Sequence, residues 1–474
     1  MYKKIIFLFL IILLNGLTNV TILNTLISVP QFAIVLYFIL TNKIERAVFW
    51  HFIFFITSYS YYGNAIETEA LTNLTSYNYA KLKLIGPFGF SHIISILLFT
   101  KVLLRKSTNK RKSEQPFYQF YKLVSYLLIT GFVIGLMGFT FDHYYLKGLL
   151  QYGSYIIIIY IHTYILHKIN NNTLRKDLLE TVIPLLVLFP ICTFLLKLIN
   201  PELEGGTSAG FYSMLLIPAL LFNKKILFVT IGLFFVIYNS IFFSTSGKSL
   251  LMLVLFIFFT FLLTYNKNIK ALFPNRAKIF RILCTIFFLL IPTIILYITN
   301  QFGGSAIISS KMWQVKTLME FIFLGEGLQL IANSPYIRIT SLINVLYEGL
   351  SNPIILLFGN GYGGYFNDHF NYFSGIDLSK GAFSDIEIMS GDYYSGHDTI
   401  VTVPMLNGII GFYFLFRVLI KYLKLSRKNY IALSAIPFLM LSFYYDTIIG
   451  VTGVLLLFVS THSFLENEKT NYEK

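Results

Sequence analysis

The chain is predicted to be an all-α, polytopic membrane protein of about fourteen transmembrane helices with one large external loop. Four observations predict it. The sequence is 56% hydrophobic and only 12% charged, whereas soluble domains carry roughly 25% charged residues. Apolar runs near 20 residues recur along its length, the length a helix needs to cross a bilayer with every backbone group satisfied internally. The short alternating segments of a transmembrane β-barrel are missing. Lysine and arginine, finally, gather in alternate loops.

By window length the spans fall near 5–22, 24–40, 47–63, 84–100, 123–141, 146–167, 178–199, 208–222, 226–243, 249–265, 280–300, 399–420, 429–445 and 447–464. The chain thus divides into spans one to eleven over 1–300, a large external segment over 301–398, and spans twelve to fourteen with a short tail over 399–474. Lys3 and Lys4 precede the first span. Further basic clusters are Lys101 to Lys122, Lys267 to Arg281, and Lys421 to Lys428. With fourteen spans all of these face the cytoplasm, as do both termini, in keeping with the excess of positive charge on cytoplasmic loops. The acids Glu67, Glu69, Asp142, Glu202 and Glu204 then fall outside, together with segment 301–398.

This arrangement accounts for most of the net charge of +15 and gives no reason to expect nucleic-acid binding. No small-residue cleavage site follows Ile5 to Leu14, so the first span is expected to be uncleaved. Cys192 and Cys284 lie in separate predicted spans and read as packing residues.

A loop longer than about 15 residues is uncommon unless it has a use or is disordered, so segment 301–398 is where chemistry is expected. Lys311 to Asn333 carries Val315, Leu318, Met319, Ile322 and Phe323 at helical spacing. It reads either as an interfacial helix or as an ordinary packed helix of the loop. A second helix is expected from about Pro335 to Leu350, with Arg338 near its start. A cation there opposes the helix dipole, so Arg338 suggests a fork for phosphate or a snorkelling arginine.

Next comes Gly359-Asn360-Gly361-Tyr362-Gly363-Gly364. Its glycines fit the spacing G-x-G-x-x-G, but no β-α-β unit surrounds it, so it is not read as a dinucleotide site. A tight turn whose backbone amides approach an anion or a sugar is the alternative to a plain loop turn. From Tyr362 to Tyr394 aromatics such as Tyr365 and Tyr393 alternate with acids, a composition suited to stacking on and bonding to sugars. Asp368 and His369 match no zinc or calcium spacing, and no metal or cofactor is expected. His397 stands with Asp398 just before the span at Thr399 and is the candidate proton acceptor for an attacking hydroxyl. Ser246-Gly247-Lys248-Ser249 ends like a P-loop, but Phe242 stands where the first glycine is required. Lys248 on an outer hairpin is read instead as a phosphate partner or a snorkelling lysine.

Together these residues resemble the bacterial O-antigen polymerase and O-antigen ligase superfamily of integral membrane glycosyltransferases. The resemblance rests on Ser246-Gly247-Lys248, on Arg338 followed by Phe358 to Gly363, and on His397-Asp398 followed by Leu406-Asn407-Gly408-Ile409-Ile410-Gly411. It covers about 240–420. The sequence departs from the family pattern at Lys248, where arginine is usual, and at Asp398, where asparagine is usual.

The resemblance implies a fold of the lipid-donor (GT-C-like) glycosyltransferase type in the bacterial inner membrane. It implies a donor glycan on undecaprenyl pyrophosphate, a lipid-linked acceptor and no nucleotide sugar; a chain-length regulator is an optional partner. It assigns Lys248 and Arg338 to the pyrophosphate and His397 to the acceptor hydroxyl. Gly359, Gly361, Tyr362, Gly363, Tyr365, Tyr393 and Asp398 are then expected to line the substrate site. The high span count and acidic outer loop favour polymerase over ligase. A lipid-linked glycan flippase or exporter is the alternative from another class, but charges cluster at span ends and no repeat is visible.

Overall fold

The computed structural model describes residues 2–16, 21–58, 78–80, 82–85, 88–105, 116–169, 172–199, 226–239, 331, 333–374, 383–394, 396, 398–427, 429–444 and 447–461, with a few isolated positions between 261 and 325. The chain is a helical membrane protein. Four described helices are long and apolar enough to cross a bilayer: α5 (Pro116–Met137), α6 (His143–Ile169), α7 (Asn172–Ile199) and α12 (Thr399–Ser426). Shorter apolar helices are α1 (Tyr2–Gly16), α2 (Thr21–Leu40), α3 (Ile44–Ile56), α4 (Phe90–Leu104), α8 (Ile226–Tyr238) and α13 (Thr447–Val459). The pair β1 (Lys83–Ile85) and β2 (Phe88–Gly89) leads antiparallel into α4. The expected spans 208–222 and 280–300, and all but isolated positions of 249–265, lie outside the described residues.

Several polar side chains inside the bundle are paired across helices, which suits a bilayer that holds no water. Gln31 of α2 donates to Asn15 of α1 at 2.9 Å, and Asn15 donates to the Thr57 carbonyl at 3.3 Å. Deeper in, His51 of α3 meets His162 of α6 through their Nε2 atoms at 2.9 Å. Their planes differ by only 4° and the ring centres are 5.1 Å apart, about as far as that nitrogen contact allows, so the rings meet edge to edge. The His162 Nδ1 faces the Ile158 carbonyl at 2.7 Å, which can only accept. The chain therefore runs one way: the Tyr79 hydroxyl donates to His51, His51 to His162, and His162 to Ile158. It ties α3 to α6 and to the segment before α4.

The segment after residue 331 forms α9 (Asn333–Ser351), α10 (Pro353–Phe358), β3 (Phe366–Asn367), α11 (Asp385–Ser390) and β4 (Asp392–Tyr393). The expected helix carrying Arg338 is α9. In the preceding stretch, positions 313, 316, 317, 320 and 321 are helical, and Lys316 pairs with Glu320 one turn on at 3.6 Å. Asn352 caps α10 through Ile354 N–H, with Pro353 at its first position. Ser384 and Glu387 form a reciprocal capping box on α11.

Segment 301–398 does not all stand outside the bundle. The turn after α10 inserts between α5, α6 and α12. It meets them at Gly131, six residues from the Met137 end of α5, and at Leu406, seven residues from the Thr399 end of α12, roughly 9–10 Å below those helix ends. Irregular backbone at that depth is tolerated only when protein surrounds it.

Candidate functional site

The site is built around a break in α12. Gly408 leaves the helical conformation at φ 64°, four residues after Pro404, and the regular ladder fails there. The glycine turn restores the bonding. Asn360 N–H donates to the Met405 carbonyl at 2.7 Å and Gly361 N–H to the Leu406 carbonyl at 3.0 Å. Tyr362 N–H donates to the Gly131 carbonyl of α5 at 2.8 Å. Tyr362 is buried, with its hydroxyl donating to the Leu127 carbonyl at 2.9 Å beside the Tyr444 hydroxyl. Asn407 closes the arrangement by donating to the Leu127 carbonyl and to Thr130.

This geometry corrects the expectation that the turn offers its amides to an anion. Gly359 donates to Ile355, and Asn360, Gly361 and Tyr362 donate as above. The glycines are needed for close approach: a side chain at Gly361 would overlap the backbone of Gly135, and one at Gly363 the ring of Tyr145. Gly359, Gly361, Tyr362 and Gly363 therefore lock the segment into the bundle.

Tyr393 also turns inward. It packs with Phe366, Phe373 and Phe383 at ring-centre distances of 5.6, 4.8 and 4.5 Å. That cluster is the buried core of the segment. Burial first, then Asp368 and Glu387, raises the Tyr393 hydroxyl above its ordinary pKa. Tyr365 stays 40% exposed at the rim. Its hydroxyl is likewise held up, by burial first and then by Asp392, Asp142 and Glu348.

Two of the expected residues, 60 positions apart in sequence, come together. Arg338 of α9 forms an ion pair through Nε with the Asp398 carboxylate at the opening of α12. The Asp398 side chain makes no cap bond to its own helix; its charge goes to the guanidinium. The arginine side chain is 33% exposed and the aspartate 10%, so the pair is open to solvent on the arginine's side. Lys248 and His397 lie outside the described residues.

The backbone on either side of residue 397 is held from several directions. Tyr152 of α6 donates its hydroxyl to the Tyr394 carbonyl at 3.0 Å and accepts from Gly396 N–H at 3.1 Å. Thr402 donates to the Gly396 carbonyl at 2.9 Å. Lys147 lies over the Tyr394 ring, 5.5 Å from its centre. No sequence motif flags Tyr152, because its partners are 242 and 244 residues away. Tyr152→Phe removes both bonds and is expected to cost about 1–2 kcal/mol. The check is an apparent Tm in detergent, which should fall below that of Tyr144→Phe, a change at a half-buried position in the first turn of the same helix.

A second pairing also has no signal in the sequence. Glu348 of α9 accepts from Asn367 N–H at 2.7 Å and contacts His369 Nε2 at 3.0 Å. Asp368 is held by Asn344 and by the amides of Tyr372 and Phe373. Among the described residues no three His, Cys, Asp or Glu side chains converge as metal ligands. The chain matches no protein-family model, no curated protein and no solved structure.

Proposed function

We propose that the chain is a membrane glycosyltransferase of about fourteen spans, a repeat-unit polymerase of the lipid-donor type. It moves a glycan from undecaprenyl pyrophosphate to the end of another lipid-linked repeat unit on the outer face of a bacterial inner membrane. The observation that carries the reading is the Arg338–Asp398 ion pair. It links the basic residue of one motif to the neighbour of His397, the proton acceptor of another.

In the proposed reaction Arg338, with Lys248, binds the pyrophosphate and stabilises its charge as the bond from the anomeric carbon to phosphate breaks. The acceptor hydroxyl attacks that carbon and forms the new glycosidic bond. Its proton passes to His397, and the lipid pyrophosphate leaves. Asp398 orients the guanidinium, a role asparagine could fill by hydrogen bond alone but without the opposing charge.

The test is a surface-polysaccharide gel on a deletion strain complemented with wild type, Arg338→Ala or His397→Ala, with membrane expression checked. A single-repeat band on lipid A core in the deletion and both variants is the expected result. Polymer built on the lipid carrier but absent from the core would make the protein a ligase. An unchanged ladder in both variants would remove these residues from the mechanism and favour an exporter.

A further inference from the structure

We propose that the exposed ledge formed by Tyr347, His369 and Phe370 beside Glu348 is a binding subsite for a sugar ring of the glycan. The inference rests on the reading that the substrate is a glycan and adds where the chain holds it away from the phosphate. Tyr347 and Phe370 are each 45% exposed although their rings are in contact, with centres 5.0 Å apart. His369 lies 5.1 Å from Tyr347 on the same side. These three rings contrast with the four that form the segment's core: they face outward, joined to one another, on a rigid support.

The support is polar and specific. Glu348 is half-buried and accepts from Asn367 N–H and from His369 Nε2. In the neutral ring a carboxylate there makes Nε2 the protonated nitrogen and leaves Nδ1 as an acceptor for a hydroxyl. The His369 backbone is fixed by Asn344 at 3.1 Å. Asn360, from the inserted turn, donates to the Tyr365 carbonyl at 2.8 Å and approaches Glu348 at 3.5 Å. The rim is thus anchored to the bundle, and Asp392 holds Asn367 from the far side at 2.7 Å.

Flat apolar faces next to fixed acceptors suit a pyranose, which presents an apolar C–H face and a ring of hydroxyl donors. A bare cation suits the ledge less well, because no three ligand side chains converge among the described residues. Tyr347 and Glu348 of the ledge lie on the same helix as Arg338, nine and ten residues further along, or roughly 14–15 Å of rise. That separation is too great for proton transfer at the bond that breaks. Nine residues are about two and a half turns, so Tyr347 stands on the other face of α9 from Arg338, and the ledge takes a later sugar of a glycan that passes round the helix from the phosphate. The ledge is therefore a recognition subsite, and its residues act on affinity and repeat-unit choice.

The test uses the full-length protein in lipid nanodiscs. The probe is a set of fluorescently end-labelled oligosaccharides released by mild acid from the surface polysaccharide of the cells that make the protein. The Tyr347→Ala/Phe370→Ala variant is expected to bind at least about tenfold more weakly than wild type, the order of loss for removed aromatic contacts. His369→Gln should weaken binding less, and Tyr347→Phe should bind as wild type. Both altered aromatics are exposed, and an unchanged melting profile separates lost binding from lost folding.

Wild-type affinity in the double variant would overturn the proposal while leaving the transferase reading intact. So would a defect confined to membrane insertion, which would make the rings an interfacial aromatic belt. A wild-type protein that builds the ladder in cells but binds none of the probes would also overturn the ledge alone. A protein that neither binds nor polymerises would remove both.

Discussion

Arg338→Ala is expected to lower transfer by about 100- to 1,000-fold, the scale for losing one donor that stabilises a developing anion. Protein level in the membrane should be unaffected. The variant also leaves the Asp398 carboxylate without its cation. That costs stability on the order of 1 kcal/mol, kept small because the guanidinium is one third exposed and screened by solvent. Arg338→Lys keeps the charge but loses the planar fork, and should fall between the two. Pairing Arg338→Ala with Asp398→Asn separates the effects. The double variant should regain the melting temperature and not the rate, since the two residues couple in stability while only the arginine of the pair has a proposed role at the phosphate. The measurements are transfer in proteoliposomes and thermal unfolding. A double variant that recovers the rate would show that the arginine serves only to neutralise Asp398.

Gly361→Ala should be the most damaging single change to the fold. The residue has φ 71°, and an added methyl would meet the backbone of Gly135 and Ile134, which cannot rotate away. Strain and overlap together place the expected loss on the order of 3–5 kcal/mol. Gly391 is the matched control: φ is 74° but nothing lies within 4 Å of the added carbon. Gly391→Ala should therefore cost only the backbone term, about 1–2 kcal/mol. Fluorescence-detected size exclusion after heating reads both. Equal melting of the two variants would mean that the close approach of the turn to α5 is not what holds it.

That comparison shows where local reading of the glycine cluster fails. A turn was legible at Gly359 to Gly364, because only glycine tolerates such backbone. What the turn bonds to was not. Its partners are Met405 and Leu406, some 45 residues on, and Gly131, more than 200 residues back. Without them the amides look available to an anion; with them they complete the broken helix α12. The aromatics failed in the same way. Tyr393 and Tyr365 look alike in sequence, yet one is core and the other rim, because the face that turns inward depends on β3 pairing with β4.

The sequence by itself determined the helical membrane class, the positions of most described helices, the helix that bears Arg338, and Arg338 and Asp398 as residues of interest. Hydropathy and helical period are short-range properties, and a span needs little more than twenty residues of context. Only the tertiary structure decided that Arg338 meets Asp398, that Tyr152 clamps the backbone before α12, and that Glu348 orients His369. It also drew the glycine turn into the bundle. Each of these joins groups whose separation in sequence carries no local signature, and each satisfies charge or backbone polarity through a partner that only the folded chain brings near.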